Sequence, residues 1–191
     1  MRLVLLGPPG AGKGTQAERL AEDLGVPHIS TGDLFRAHVE AGSELGREAQ
    51  QFMDQGQLVP DRVVNRMVAE RLGAQDTAPG FLLDGYPRTL AQGEVLEAEL
   101  AGRGAPLQAV LRLVVPEEEL VRRILARAEQ EGRADDTEDV LRKRLAVYHE
   151  ETEPLEAFYR QRGLLLDVDG IGSVDEITAR ARERLREVAE A

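Results

Sequence analysis

Leu3-Val4-Leu5-Leu6-Gly7-Pro8-Pro9-Gly10-Ala11-Gly12-Lys13-Gly14-Thr15 begins as an apolar run, breaks at glycine and proline, and leads into an amphipathic stretch that continues to Leu24. The run is strand-like and the stretch helix-like, so the glycine-rich segment between them is a tight strand-to-helix turn. Backbone N–H groups of such a turn point inward, the helix adds its positive N-terminal end, and Lys13 adds a full charge. Together they make a cradle for a nucleotide triphosphate. The plain alternative, a glycine-rich turn without a ligand, is disfavoured because the lysine, the spacing and both flanking elements agree. Gly14 follows Lys13 where a serine or threonine hydroxyl usually reaches Mg2+ directly, and Thr15 stands one place later. That departure weighs against a GTPase-type switch and points toward kinases of small molecules.

Outward from this turn, short apolar runs alternate with longer amphipathic ones. Leu3 to Leu6, Phe81 to Leu83, Val110 to Val115 and Leu164 to Val168 read as strands, with a weaker one at Val26 to Ser30. Thr15 to Leu24, Leu90 to Ala101 and Glu117 to Glu131 read as helices, stopped by Gly25, Gly102 and Gly132 respectively. Strands that are apolar throughout are buried on both faces, so the alternation predicts an α/β fold, a parallel sheet covered by helices on each side. Two stretches interrupt the rhythm. Ser30 to about Val59 is polar and helical with four glycines, and Ala128 to Asp136 is rich in charge, with Gly132 lying between Arg127 and Arg133. The first reads as a small helical insertion and the second as a short mobile flap.

Composition narrows the function. The 191 residues suffice for one domain with a packed core, and 42% hydrophobic residues is ordinary for a globular protein. Lys and Arg total 24 against 35 Asp and Glu, a formal charge of −11, which disfavours sequence-independent binding to nucleic acid or to an anionic membrane. An anionic ligand must then be held by locally clustered cations. Cysteine is absent and His28, His38 and His149 share no metal-ligand spacing, so neither a disulfide nor a zinc site is expected. With no secretory leader pattern and no apolar run of membrane-spanning length, we expect a cytoplasmic protein.

The chain resembles the adenylate kinase family at Gly7 to Gln16, at Ser30-Thr31-Gly32-Asp33-Leu34-Phe35-Arg36, at Gly56-Gln57-Leu58-Val59-Pro60-Asp61 and at Phe81-Leu82-Leu83-Asp84-Gly85-Tyr86-Pro87-Arg88-Thr89. Gly132-Arg133-Ala134-Asp135-Asp136, Arg142-Lys143-Arg144-Leu145 and Glu153-Pro154-Leu155 extend the likeness to nearly the whole chain. The resemblance implies a three-layer P-loop sandwich with a five-stranded parallel sheet, forming one kinase domain over residues 1–191. It also implies two small mobile insertions, a monophosphate-binding segment at 30–59 and a lid at 126–136, the latter of the short form that carries no zinc. The implied activity is transfer of the terminal phosphoryl group of MgATP to AMP, giving two ADP. A UMP or CMP kinase, another small-molecule P-loop kinase, and a slowly hydrolysing P-loop switch are the alternatives. We expect ATP and AMP as the partners, and a monomer.

In that reading ATP lies across Gly10, Ala11, Gly12, Lys13, Gly14 and Thr15, with Arg127 gripping its phosphates and Gly172 against its adenine. AMP is assigned to Thr31, Arg36, Gln57, Leu58, Val59, Gly85, Tyr86, Pro87, Arg88 and Gln92, and Arg133 and Arg144 bracket the transferring group. Lys13, Arg88, Arg127, Arg133 and Arg144 are the catalytic set. With 22 arginines in the chain most must be ordinary surface residues, but Arg88 lies just beyond a buried strand end, where open α/β sheets place ligands. Arg123 and Arg127 are four apart on one helix face, which suits adenine or phosphate contacts and equally a surface salt-bridged to Glu118, Glu119 and Glu131. Asp84 ends the apolar run and can orient Mg2+ through the ion's water shell, or merely cap a turn. Asp135 and Asp136 serve equally as helix caps or as catalytic groups. Thr31, where pyrimidine kinases more often carry alanine, and Gln92, whose amide can pair with the adenine edge, favour AMP as the acceptor.

Overall fold

The computed structural model describes residues 1–131 and 138–189, and for residues 127–131, 138 and 189 the backbone alone. In chain order, β1 (Arg2–Leu6), α1 (Lys13–Leu24), β2 (His28–Ser30), α2 (Thr31–Glu40), α3 (Glu44–Met53) and α4 (Asp61–Leu72) lead to β3 (Phe81–Asp84) and α5 (Leu90–Gly102). Then come β4 (Ala109–Val114), α6 (Glu117–Glu131), α7 (Glu138–Val147), a π-helical turn at Tyr148–Thr152, α8 (Pro154–Gln161), β5 (Leu165–Asp169) and α9 (Val174–Ala189). Among the described residues the strands form one five-stranded, all-parallel sheet in the order β2-β3-β1-β4-β5.

The sheet divides the core in two. Leu3, Leu5, Leu82, Leu111 and Leu113 face Leu20 of α1, Ile124 of α6 and Leu185 of α9. Val4, Leu6, Leu83 and Val110 face Phe35 of α2, Val64 and Val68 of α4, Leu96 of α5 and Leu155 of α8. Successive strand residues point to opposite sides, so the unbroken apolar runs follow directly from helices on both faces. The sheet order reverses direction at β1, with β2 and β3 on one side and β4 and β5 on the other. The carboxyl ends of β1 and β3, paired at Leu5 and Asp84, open at that switch point.

Boundaries moved by a residue or two for local reasons. The weak strand starts at His28 rather than Val26, because Val26 N–H donates to Ala21 O in closing α1 and Pro27 has no N–H to give. α5 runs through Gly102 instead of stopping before it, and the chain reverses at Gly104, with φ at +62°. β4 and β5 are each offset by one residue, at 109–114 and 165–169. The polar insertion beginning at Ser30 holds two helices, α2 and α3, each capped by a serine hydroxyl, Ser30 for Asp33 N–H and Ser43 for Gly46 N–H. Its Phe35 and Ala49 join the second core. The part of the expected lid from residue 132 to 136, with Gly132, Arg133, Asp135 and Asp136, lies outside the described residues, as does the side chain of Arg127.

Candidate active site

Between the carboxyl end of β1 and the segment over it lies a cleft lined by Gly7, Pro9 and Lys13 on one wall and by Thr31, Arg36, Gly85, Pro87, Arg88 and Gln92 on the other. Gln57, Leu58, Val59 and Arg144 complete the lining, so the residues assigned to the acceptor converge from four segments of the chain. Lys13 Nζ donates to the carbonyls of Gly7 and Pro8, at 2.8 and 3.0 Å, which arches the phosphate loop over its own lysine. Gly10 within that loop is forced: φ is +81°, and a Cβ there would sit 2.7 Å from Ile124 Cγ1.

Arg88 is held at three points. Its N–H donates to Gln92 Oε1 at 2.7 Å, its Nε donates to Gly85 O at 2.8 Å, and its carbonyl accepts from Thr152 Oγ1 at 2.7 Å. The guanidinium end therefore meets the cleft in a fixed pose. Burial, and then the nearby charge of Arg144, hold its pKa below the ordinary arginine value; Arg36 adds to that and Asp84 opposes it. Three converging guanidinium groups repel one another, and a bound dianion relieves the repulsion. Arg36 also pairs with Asp33, whose pKa stays low although burial alone would raise it. Gly85 lets the two walls meet: φ is +80°, and a Cβ would lie 2.6 Å from Thr31 Oγ1, which donates to Gly85 O at 2.9 Å.

Tyr86 departs from its expected place. Its ring is 2% exposed in the core behind the loop, and its phenol donates to Asn65 Oδ1 at 2.7 Å. Burial, and after it the Asp61 carboxylate, raise that phenol's pKa. It supports the acceptor wall from behind instead of lining it. Gln92 lines the cleft, but its amide is also bonded internally, Oε1 to Arg88 N–H and Nε2 to Asp61 Oδ1 at 2.7 Å. Asp61 and Thr152 are the positions that sequence reasoning missed. Asp61 stood only as the last residue of a quoted motif, because its partners, Thr89 and Gln92, lie 28 and 31 residues away.

A second groove lies on the other side of the phosphate loop, lined by Ala11, Gly12, Thr15, Gln16, Arg123 and Gly172. Arg123 makes the ion pair of its second reading, with Glu119 at 2.6 Å, and it also donates to Gly170 O at 2.9 Å and Ala11 O at 3.5 Å, tying α6 to the loop. Gly172 faces Arg123 across the groove.

Asp84 ends β3 with its side chain buried beside the loop, and Gly14 faces it so that a Cβ there would lie 3.8 Å from Asp84 Oδ2. Burial would raise its pKa; the neighbouring His28, Lys13 and Arg88 outweigh that and keep it low, so the carboxylate is ionised at neutral pH. His28 Nε2 stands 3.7 Å from Oδ2, a close neighbour without a hydrogen bond. Among the described residues no three His, Asp or Glu side chains are grouped so as to hold a metal ion by themselves. One ionised carboxylate beside a phosphate cradle fits Mg2+, which keeps several waters and takes its other oxygens from nucleotide phosphates.

A phosphate loop that forms the shared wall of two grooves, one rimmed by guanidinium groups, defines a P-loop phosphotransferase acting between two phosphate-bearing ligands. The sequence profile of the adenylate kinases, described as "Adenylate kinase", matches residues 5–164. The chain is 54% identical over 186 residues to the adenylate kinase of Thermobifida fusca, covering 97% of this chain and 98% of that one. It is 59% identical to that of Nocardia farcinica over 97% and 99% of the two chains, and 55% identical to that of a Nocardioides species over both full lengths. The chain belongs to the adenylate kinase family.

Proposed function

We propose that the protein transfers the γ-phosphoryl group of MgATP to AMP, reversibly, giving two ADP. The observation that carries this reading is the cleft in which Lys13 faces Arg36, Arg88 and Arg144. An AMP phosphate is already an anionic nucleophile, so the reaction asks for in-line positioning and charge neutralisation and needs no general base. ATP occupies the Gly10–Thr15 loop with its adenine in the groove of Arg123 and Gly172. AMP occupies the arginine-rimmed cleft, its base toward Thr31, Gln57, Val59 and Gln92. Arg127 and Arg133 come from the lid, at 126–136, to close over the phosphates. Segment 30–59 closes over AMP, and together the two exclude water that would otherwise accept the phosphoryl group. Asp84 would hold Mg2+ through water, and the bound ion would supply neutralisation of phosphate charge. We further propose a monomeric, cytoplasmic enzyme. Among the described residues no helix is long and apolar enough to cross a membrane.

Incubating the purified protein with MgATP and AMP, CMP or UMP in turn, and measuring ADP and the second diphosphate, tests the reading. Rapid ADP formation with AMP, and little with the pyrimidine monophosphates, is expected. ADP formation that ignores the added monophosphate marks hydrolysis and overturns it.

A further inference from the structure

The first residue of α4, Asp61, places its carboxylate between two groups of the acceptor loop. Oδ1 accepts from Gln92 Nε2 at 2.7 Å and Oδ2 from Thr89 Oγ1 at 3.0 Å. Thr89 has spent its only hydroxyl hydrogen there, so the 3.2 Å contact with Gln92 N–H is one it accepts, as the cap of α5. One turn further along the same face, Asn65 receives the Tyr86 phenol, which also reaches Gln92 O at 3.3 Å. The helix therefore grips the loop from Tyr86 to Gln92 through two side chains.

These contacts leave the Gln92 amide a single orientation. The backbone N–H of Arg88 can only donate, so the side-chain oxygen must face it, and an ionised carboxylate can only accept, so the nitrogen must face Asp61. Gln92 is 1% exposed, and a reversed amide would set a donor against a donor and an acceptor against an acceptor with no water to relieve either. One N–H and one oxygen lone pair remain to serve a ligand in the cleft. Adenine presents an acceptor at N1 and a donor at N6. Hypoxanthine presents a donor at N1 and an acceptor at O6, the opposite order.

We propose that Asp61 is a positioning residue for acceptor-base selectivity, fixing the Gln92 amide in the orientation that matches adenine and mismatches a 6-oxopurine. It touches neither nucleotide and acts through Gln92, so the inference rests on the reading of Gln92 as the group that faces the acceptor base.

The test measures kcat/KM for AMP and for inosine monophosphate, and KM for ATP, in the unsubstituted protein, Asp61→Ser, Asp61→Asn, Gln92→Ala and the Asp61→Ser/Gln92→Ala pair. Serine suits a helix start but is too short to reach Gln92. The AMP preference should fall ~10-fold in Asp61→Ser, the scale of one buried group losing its partner, while KM for ATP stays within about 2-fold. Asparagine keeps an oxygen for Gln92 Nε2 and should restore most of the preference. In the Gln92→Ala background Asp61→Ser should cost no further preference, because the residue it positions is gone. Should Asp61→Ser not fold by circular dichroism, Asp61→Ala supplies the same comparison. Loss of preference in Gln92→Ala with full retention in Asp61→Ser overturns the role of Asp61 alone. An unchanged preference in Gln92→Ala overturns the reading of Gln92 and the inference with it.

Discussion

The phosphate loop and the acceptor loop meet across one cleft, and they are built on opposite plans. The phosphate loop offers main-chain N–H groups beyond its two prolines, from Gly10 to Thr15, and its one cationic side chain, Lys13, is bonded back to the loop's own carbonyls. Gly85 to Gln92 offers the side chains of Arg88 and Gln92, and its residues are held by distant segments: the Gly85 carbonyl by Thr31, the Tyr86 phenol by Asn65, the Arg88 carbonyl by Thr152 and the Gln92 amide by Asp61. A donor triphosphate is recognised by charge and can be cradled by backbone alone. An acceptor must be recognised by its base as well, and only side chains distinguish bases. The first plan should fail abruptly at one residue, whereas the second should lose binding in steps.

The sharpest test of that contrast is Lys13→Met. It removes the fixed cation of the donor wall, and turnover should fall by ~10²–10³, the scale of one preorganised electrostatic contact, with the fold unchanged by circular dichroism. Turnover within a few-fold of normal would mean that the backbone N–H groups suffice.

On the opposite wall, Arg88→Ala should raise KM for AMP by ~10–100-fold, the worth of a charge-assisted contact, while KM for ATP moves by less than about 3-fold. Arg36 and Arg144 remain to hold part of the phosphate, so binding weakens without vanishing. Equal rises in both constants would show that the two walls do not divide the substrates between them.

The same contrast explains what could be read before any contact was visible. The phosphate loop is contiguous, so its residues, its strand and its helix were all legible in one stretch, and the apolar runs gave the parallel sheet. Arg88 was legible because it stands next to a buried strand end. Asp61 and Thr152 were not, because a carboxylate after Pro60 and a threonine in Tyr148–Thr152 acquire meaning only from partners 31 and 64 residues away. Tyr86 was misplaced for a related reason: its neighbours line the cleft, and only burial shows that its ring turns inward.

Arg123→Ala probes the donor side away from the lysine. The guanidinium bonds to Gly170 O and stands near Ala11 O, so its loss should loosen the adenine groove and raise KM for ATP by ~3–10-fold, the scale of one or two hydrogen bonds. KM for AMP should hold. A rise confined to AMP would place the two nucleotides in exchanged grooves.

The smallest effect is expected at Thr152→Val, which tests whether the acceptor loop depends on its remote supports. Thr152 is 6% exposed, and its hydroxyl donates to the Arg88 carbonyl from the π-helical turn that joins α7, which carries Arg144, to α8. Valine keeps the shape and removes the donor, leaving that carbonyl without its threonine partner at a cost of ~1 kcal/mol. If that bond keeps Arg88 and Arg144 in register, KM for AMP should rise ~2–5-fold together with a modest fall in the thermal midpoint, and KM for ATP should stay unchanged. A fall in the midpoint with both Michaelis constants intact would reduce Thr152 to a packing role. Arg88 would then owe its pose to its bonds with Gln92 and Gly85.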